Sequence, residues 1–276
     1  MPDQPTLLFH DGNRMPQLGL GFWQVTNAQE VAAAGLGAGY RLLDTAQGYG
    51  NETEVGRAIA RSGLPREEVF VTTKLRNAAH ARDDALRAFD ASMAALGLDR
   101  LDLMLIHWPR PAQDRYVEAW RVLIELRDAG RIRSIGVSNF GPMELARLEA
   151  ETGVVPVLNQ IELHPRFQQH PLRALHGRMG IVTQSWSPLG QGGLLGDPVI
   201  GRIARRLGRS PAQVVIRWHL QEGLSPIPKS AHPDRIRANF EVWDLTLDEN
   251  DMEAIARLDR RDGRVGPDPA TAEFAF

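Results

Sequence analysis

Short apolar runs alternate along this chain with longer stretches in which apolar residues recur at helical spacing. The runs that read as strands are Leu18–Gly21, Arg41–Asp44, Val69–Lys74, Leu101–His107, Ile132–Ser138, Val157–Ile161, Ile181–Trp186 and Leu224–Ile227. Between them the amphipathic spacing predicts helices over Asn27–Gly37, Glu52–Ser62, Asp83–Gly97, Tyr116–Ala129, Pro142–Thr152 and Pro171–Met179. Further helices are predicted over Val199–Leu207, Pro211–Gln221, Asp234–Phe240 and Asp248–Leu258. Gly63, Gly97, Gly130 and Gly153 stand just past helix ends, where a left-handed residue is wanted. Ahead of the alternation, Thr6–Phe9 and Met15–Leu18 flank a turn containing Asp11-Gly12 and read as a hairpin.

Eight strands alternating with helices predict an α/β chain folded as a (β/α)8 TIM barrel, one domain over residues 1–276. The hairpin forms a lid at one end, and a C-terminal tail, Arg260–Phe276, lies over the active-site end. The main rival is an open doubly wound sheet. It is disfavoured because Gly19 and Gly21 in LGLGFW do not open a G-x-G-x-x-G turn into a helix.

A formal net charge of -2 gives no electrostatic pull toward nucleic acid or an anionic membrane. No apolar stretch spans a bilayer, and the first residues lack the pattern of a secretory signal. The absence of cysteine excludes disulfides, thiolate catalysis and cysteine-ligated zinc, and fits a cytoplasmic location. No histidines cluster with carboxylates at metal-ligand spacing, so no metal is expected. One imbalance sharpens the search: of 32 basic residues only Lys74 and Lys229 are lysines. In a chain that otherwise uses arginine, a lysine marks a place that needs a compact ammonium.

In a barrel, chemistry belongs at the carboxyl ends of the strands. Those ends carry Trp23, Asp44, Lys74, His107, Ser138, Asn139, Gln160 and Trp186. Tyr49, one of three tyrosines, sits in a Gly-x-Gly turn five residues after Asp44 and away from any apolar periodicity. Alone, Asp44 reads equally as a strand-end cap, Lys74 as a rim charge and His107 as a core histidine. Their joint placement on one rim favours a site.

The motifs DTAQGYGNE, VTTK, LMLIHWP, GVSNF, NQIELHP, QSWSPLGQG and IPKS resemble, in order and spacing, those of the aldo-keto reductases. The resemblance covers nearly the whole chain and is strongest to short bacterial reductases of the diketogluconate-reductase type. It implies NADPH-dependent, reversible reduction of aldehydes and ketones, with cofactor bound before carbonyl, by a monomer. Asp44, Tyr49, Lys74 and His107 correspond to a catalytic tetrad, with Tyr49 the proton donor. A free phenol ionises near pH 10, and an ammonium about 4 Å away is expected to lower that by up to about three units before competing effects. Asp44 would hold Lys74 in place while offsetting part of its field.

The same resemblance assigns Ser138, Asn139 and Gln160 to the nicotinamide carboxamide, and Trp186 to stacking on its ring. Ser187, Leu189, Gly190, Gln191 and Gly192 would wrap the pyrophosphate, and Lys229, Ser230, Arg235 and Asn239 the adenosine 2′-phosphate. Trp23, Tyr49, His107 and Trp108 would line the substrate pocket, roofed by Pro109–Arg115, Gln191–Val199 and the tail. Within the tail, Asp262–Ala270 is expected to be mobile until a ligand binds. No dedicated carboxylate clamp stands out. The alternative function is an NADPH-binding sensor or regulatory subunit with little turnover.

Overall fold

The computed structural model describes residues 4–273. The first three residues of the expected 1–276 domain, and the last three of the tail expected over the pocket, lie outside the described residues. An antiparallel hairpin, β1 (Thr6–Leu8) and β2 (Arg14–Pro16), precedes eight strands in one parallel sheet. These are β3 (Gly19–Gly21), β4 (Leu42–Asp44), β5 (Phe70–Leu75), β6 (Leu101–Ile106), β7 (Ile132–Ser138), β8 (Leu158–Glu162), β9 (Val182–Trp186) and β10 (Ser225–Pro226). The helices are α1 (Ala28–Ala38), α2 (Glu52–Arg61), α3 (Arg82–Leu96), α4 (Tyr116–Asp128), α5 (Pro142–Thr152) and α6 (His170–Met179). The series ends with α7 (Pro198–Leu207), α8 (Pro211–Gln221), α9 (Pro233–Phe240) and α10 (Glu249–Ala256).

The sheet runs in sequence order from β3 to β10 and curls until its two edges meet. At the seam Gly21 N–H donates to Pro228 O at 3.1 Å. A Cβ on Gly19 or Gly21 would lie 2.9 Å from Ile227, so the glycine pair of LGLGFW serves close strand approach. The architecture is the (β/α)8 barrel, with α7 and α10 added to the repeating unit. No helix among the described residues is long and apolar enough to cross a membrane.

Strand alternation separates two cores. Leu43, Val71, Met104, Ile106, Ile135 and Val137 face outward into the helix layer. Leu42, Phe70, Leu103, Leu105, Leu158 and Ile227 pack inside the barrel with Phe9 and Met15 of the hairpin region. The hairpin is held there by Asn13 and Asp11, which bond the Ser134 side chain at the start of β7. It therefore closes the end of the barrel opposite the strand carboxyl ends. Further along the strands the inward positions turn polar: Asp44, Lys74, Ser138 and Gln160, all buried.

Three buried histidines make stability depend on pH. Burial lowers His176 and His219 to about 4, and burial plus the nearby Arg110 charge lowers His80 to about 4. Between pH 6.5 and 4 the unfolded chain binds more protons than the native one, so stability falls as pH falls through that window. Each histidine contributes up to roughly 3 kcal/mol. Urea midpoints are expected to drop clearly between pH 7.5 and pH 5, and a flat profile would contradict this reading.

Candidate active site

The acid, the amine and the phenol meet because three neighbouring segments present them to one spot. Asp44 ends β4 pointing inward, and Lys74 does the same on the adjacent β5. Tyr49 sits on a single 3-10 turn, Gln47–Tyr49, within the Gly-x-Gly turn read from the sequence. Two side chains that the sequence reading passed over fix that turn. Gln47 donates to Ala88 O at 2.5 Å and Ser92 Oγ at 2.8 Å, and accepts from Arg76 N–H. Asn51 donates to Phe22 O at 2.9 Å and accepts from Thr45 Oγ1 at 2.7 Å.

Lys74 is wholly buried, and its three N–H bonds are all directed. They reach Asp44 Oδ1 at 2.5 Å, Thr45 O at 2.9 Å and Tyr49 Oη at 3.5 Å. The second Asp44 oxygen accepts from Gln160 Nε2 at 2.7 Å. Both carboxylate oxygens are thus acceptors, the pattern of an ionised acid. Burial pulls the Lys74 amine down, but Asp44 and Tyr49 together carry it above its ordinary value, so it stays charged. Burial pushes the Asp44 carboxyl up, against the opposing pull of Lys74 and Gln160.

Tyr49 departs from expectation. Burial raises its phenol above the ordinary value, and the Lys74 ammonium offsets this without overcoming it. The reason is that desolvation of the phenolate outweighs the ammonium's pull, and the Asp44 charge acts in the same direction as burial. Tyr49 is therefore a neutral phenol at pH 7, the form that has a proton to give. His107 is edge-on to it, ring centroids 5.6 Å apart. Burial first, and the Lys74 charge second, hold His107 well below 6.5, so the imidazole is neutral too.

Around this cluster the residues expected to hold a nicotinamide amide are already linked to one another. Ser138 Oγ donates to Gln160 O at 2.8 Å, and Asn139 Nδ2 donates to His107 O at 3.0 Å. Asn139 Oδ1 accepts from Trp186 Nε1 at 2.8 Å. Gln160 spends its amide N–H groups on Asp44 and Gln184, so it orients the acid as well as facing the mouth. Trp108 is buried with its ring 6.4 Å from that of Trp186, while Trp23 stands half exposed at the end of β3.

After Trp186 the backbone is left-handed at Ser187, Gly190, Gln191 and Gly192, which turns successive amides in one tight loop with Leu189 half buried. Lys229 and Arg235 are exposed and form no ion pair among the described residues, whereas Arg237 is tied to Asp234. Ser230 and Asn239 are buried beside them. The first turn of α9 has no side-chain cap at His232. Unpaired cations beside an uncapped helix start suit a phosphate, so these residues fit a phosphorylated dinucleotide.

The tail is tied down, where mobility was expected of it. Glu162, fully buried at the end of β8, accepts from Val265 N–H at 2.5 Å and Gly266 N–H at 2.9 Å. A Cβ on Gly266 would meet the Trp186 ring at 2.4 Å. Glycine there lets the main chain lie flat on the indole. In NQIELHP, Glu162 looks like one more strand residue, and only the distant tail gives it a partner.

A model of the Aldo/keto reductase family matches residues 17–260. The chain belongs to the aldo-keto reductase family. It is an oxidoreductase on that membership. It is 54% identical to an aldo-keto reductase of Mycolicibacterium smegmatis over 98% of both chains. It is 51% identical to methylglyoxal reductase DkgA of Escherichia coli, covering 96% of this chain and 97% of that one. Among solved structures, apo Gox0644 superposes with a TM-score of 0.95 at 51% identity, over 99% of this chain and 100% of that one. A point mutant of Gox0644 in complex with NADPH also gives 0.95, at 50% identity over the same shares. Members of the aldo-keto reductase family have the barrel described above, which accounts for the order in which these polar strand ends appear along the chain.

Proposed function

We propose that this chain reduces aldehydes and ketones to alcohols with NADPH, reversibly, as a monomer working through one cytoplasmic domain over residues 1–276. The observation that carries the reading is the wholly buried Lys74 ammonium, shared between the Asp44 carboxylate and the Tyr49 phenol beside a neutral His107. When bound, NADPH supplies the hydride. Its nicotinamide would face Trp186, Ser138, Asn139 and Gln160, its pyrophosphate Ser187 to Gly192, and its 2′-phosphate Lys229, Ser230, Arg235 and Asn239.

The chain's own residues do the rest. His107, as neutral imidazole, donates one hydrogen bond to the carbonyl oxygen and sets its position. Tyr49 hands its proton to that oxygen as negative charge grows there. The phenolate left behind is stabilised by the Lys74 ammonium, which Asp44 keeps charged and in place. In the reverse direction that phenolate takes the alcohol's proton. Trp23, Trp108 and Tyr49 give the pocket aromatic walls, which suit small apolar or 2-oxo aldehydes. Methylglyoxal, specified in the name of the Escherichia coli relative, is the first of these to test.

Mixing protein, NADPH and 4-nitrobenzaldehyde is expected to give steady cofactor oxidation that needs all three. Binding of NADPH without turnover would instead favour the sensor reading. The phosphate assignment has its own check. Removing one charged hydrogen-bond partner costs about 1.5–3 kcal/mol. Arg235→Ala is therefore expected to weaken NADPH by roughly ten-fold or more, with NADH nearly unaffected. Equal losses for the two cofactors would refute it.

A further inference from the structure

In QGYGNE two polar side chains flank Tyr49, Gln47 two residues before it and Glu52 three after it, and both reach one hydroxyl. That hydroxyl belongs to Ser92, which is wholly buried on α3. Its Oγ accepts from Gln47 Nε2 at 2.8 Å and donates to Glu52 Oε1 at 2.8 Å. A hydroxyl has one proton to give and can also accept, so serine suits a place between an amide and a carboxylate.

The same two side chains are tied to β5 on either side of Lys74. Thr73, the residue before it, donates its hydroxyl to Glu52 Oε1 at 2.6 Å. Arg76, two residues after it, donates its main-chain N–H to Gln47 Oε1 at 2.9 Å. Lys74 points into the barrel, so Thr73 points out of it, and the link through Glu52 runs behind the strand in the helix layer. There α2 and α3 lie backbone to backbone: a Cβ on Gly56 would stand 2.3 Å from Leu96 O. Glu52 itself is only 8% exposed. Burial pushes its carboxyl up, against the pull of the Thr73 and Ser92 hydroxyls and of the Lys74 charge. The start of α2 does not require an acid buried at that cost, because the less buried Glu54 supplies one in the same turn.

We propose that Ser92 and Glu52 are positioning residues for the proton transfer: with Gln47 and Thr73 they hold the Tyr49 turn against β5, and so set the 3.5 Å between the Tyr49 hydroxyl and the Lys74 ammonium. The proposal rests on the carbonyl-reductase reading above. Thr73, Ser92 and Glu52 stand behind the strand, so they act on the rate through Tyr49 and touch no reacting atom. The turn is gripped on both flanks of Tyr49 and referred to β5 on both flanks of Lys74. Releasing either grip lets the phenol tilt, which changes its distance to the ammonium directly. A reacting group misplaced by about 1 Å can cost on the order of a hundred-fold in rate.

Ser92→Ala removes the shared hydroxyl, and Glu52→Met removes the shared acceptor. Each is expected to slow a single turnover of 4-nitrobenzaldehyde by roughly ten-fold to a hundred-fold. NADPH affinity should stay within about threefold of wild type, since no cofactor contact is altered. Glu52→Gln keeps an oxygen that accepts from both hydroxyls, so its rate should return to within about threefold of wild type. The deciding measurement is a double-mutant cycle with Tyr49→Phe. With the phenol hydroxyl gone nothing is left to position, so Ser92→Ala should change the residual rate of Tyr49→Phe by less than about twofold. An equal loss in both backgrounds would overturn the proposal, as would Ser92→Ala turning over as fast as wild type, or Glu52→Gln as slow as Glu52→Met. If Glu52→Met does not fold, the Ser92→Ala cycle decides alone. Turnover by the wild type, and its loss in Tyr49→Phe, test the carbonyl-reductase reading separately.

Discussion

Replacing Tyr49 by phenylalanine is expected to slow a single turnover of aldehyde by between about a hundred-fold and ten-thousand-fold, the usual worth of a positioned proton donor. NADPH affinity should stay within about threefold. The hydroxyl makes one long contact, 3.5 Å to Lys74, and the phenyl ring that remains can keep its edge-on packing with His107. Stopped-flow cofactor oxidation and a fluorescence titration of NADPH measure the two quantities on one preparation. A collapse of binding would make Tyr49 structural, and retained turnover would move the proton donor elsewhere.

Lys74→Met should be the most damaging change to the fold. Breaking a buried ion pair by removing one partner typically costs about 3–5 kcal/mol, because the other charge is left in a dry interior. Here the survivor is Asp44, with Gln160 its remaining side-chain donor. Burial already pushes the Asp44 carboxyl up, and losing the ammonium takes away its largest opposing influence. An acid raised in the folded state binds protons that the unfolded chain has released, so its contribution to stability falls as pH rises above about 4. The variant's deficit against wild type is thus expected to be largest at pH 7 and to shrink toward pH 5. The double variant Asp44→Asn with Lys74→Met should recover much of the stability and none of the activity. Urea denaturation of the three proteins at both pH values decides this. A single variant as stable as wild type at pH 7 would show that the pair carries no such energy.

The barrel was legible because its signals are local. Strands such as Ile132–Ser138 and helices such as Pro142–Thr152 announce themselves through apolar spacing, proline at the first turn and glycine after the last, and both were placed to the residue. Even β10, which pairs with β9 over two residues only, follows from its place in the alternation. The tetrad was legible because lysine is rare here and because the strand ends form one rim.

What escaped depends on partners far away in sequence. Gln47 and Asn51 look like ordinary loop polars until Ser92 and Phe22 stand opposite them. Glu162 gains its meaning only from the tail, more than a hundred positions later. The direction of the Tyr49 shift was misjudged for a different reason. Pairwise Coulomb reasoning counts the ammonium and omits the desolvation of the phenolate, and in a buried site desolvation is the larger effect.

The central claim is that the proton comes from a neutral phenol and not from an imidazolium. It is tested most directly by the rate of one turnover in the reducing direction from pH 5 to pH 10.5, measured so that product release does not enter. The rate is predicted to hold level through pH 8 and to fall only when Tyr49 ionises, above its ordinary value near 10. A fall centred between pH 6 and 7 that vanishes in His107→Gln would contradict it.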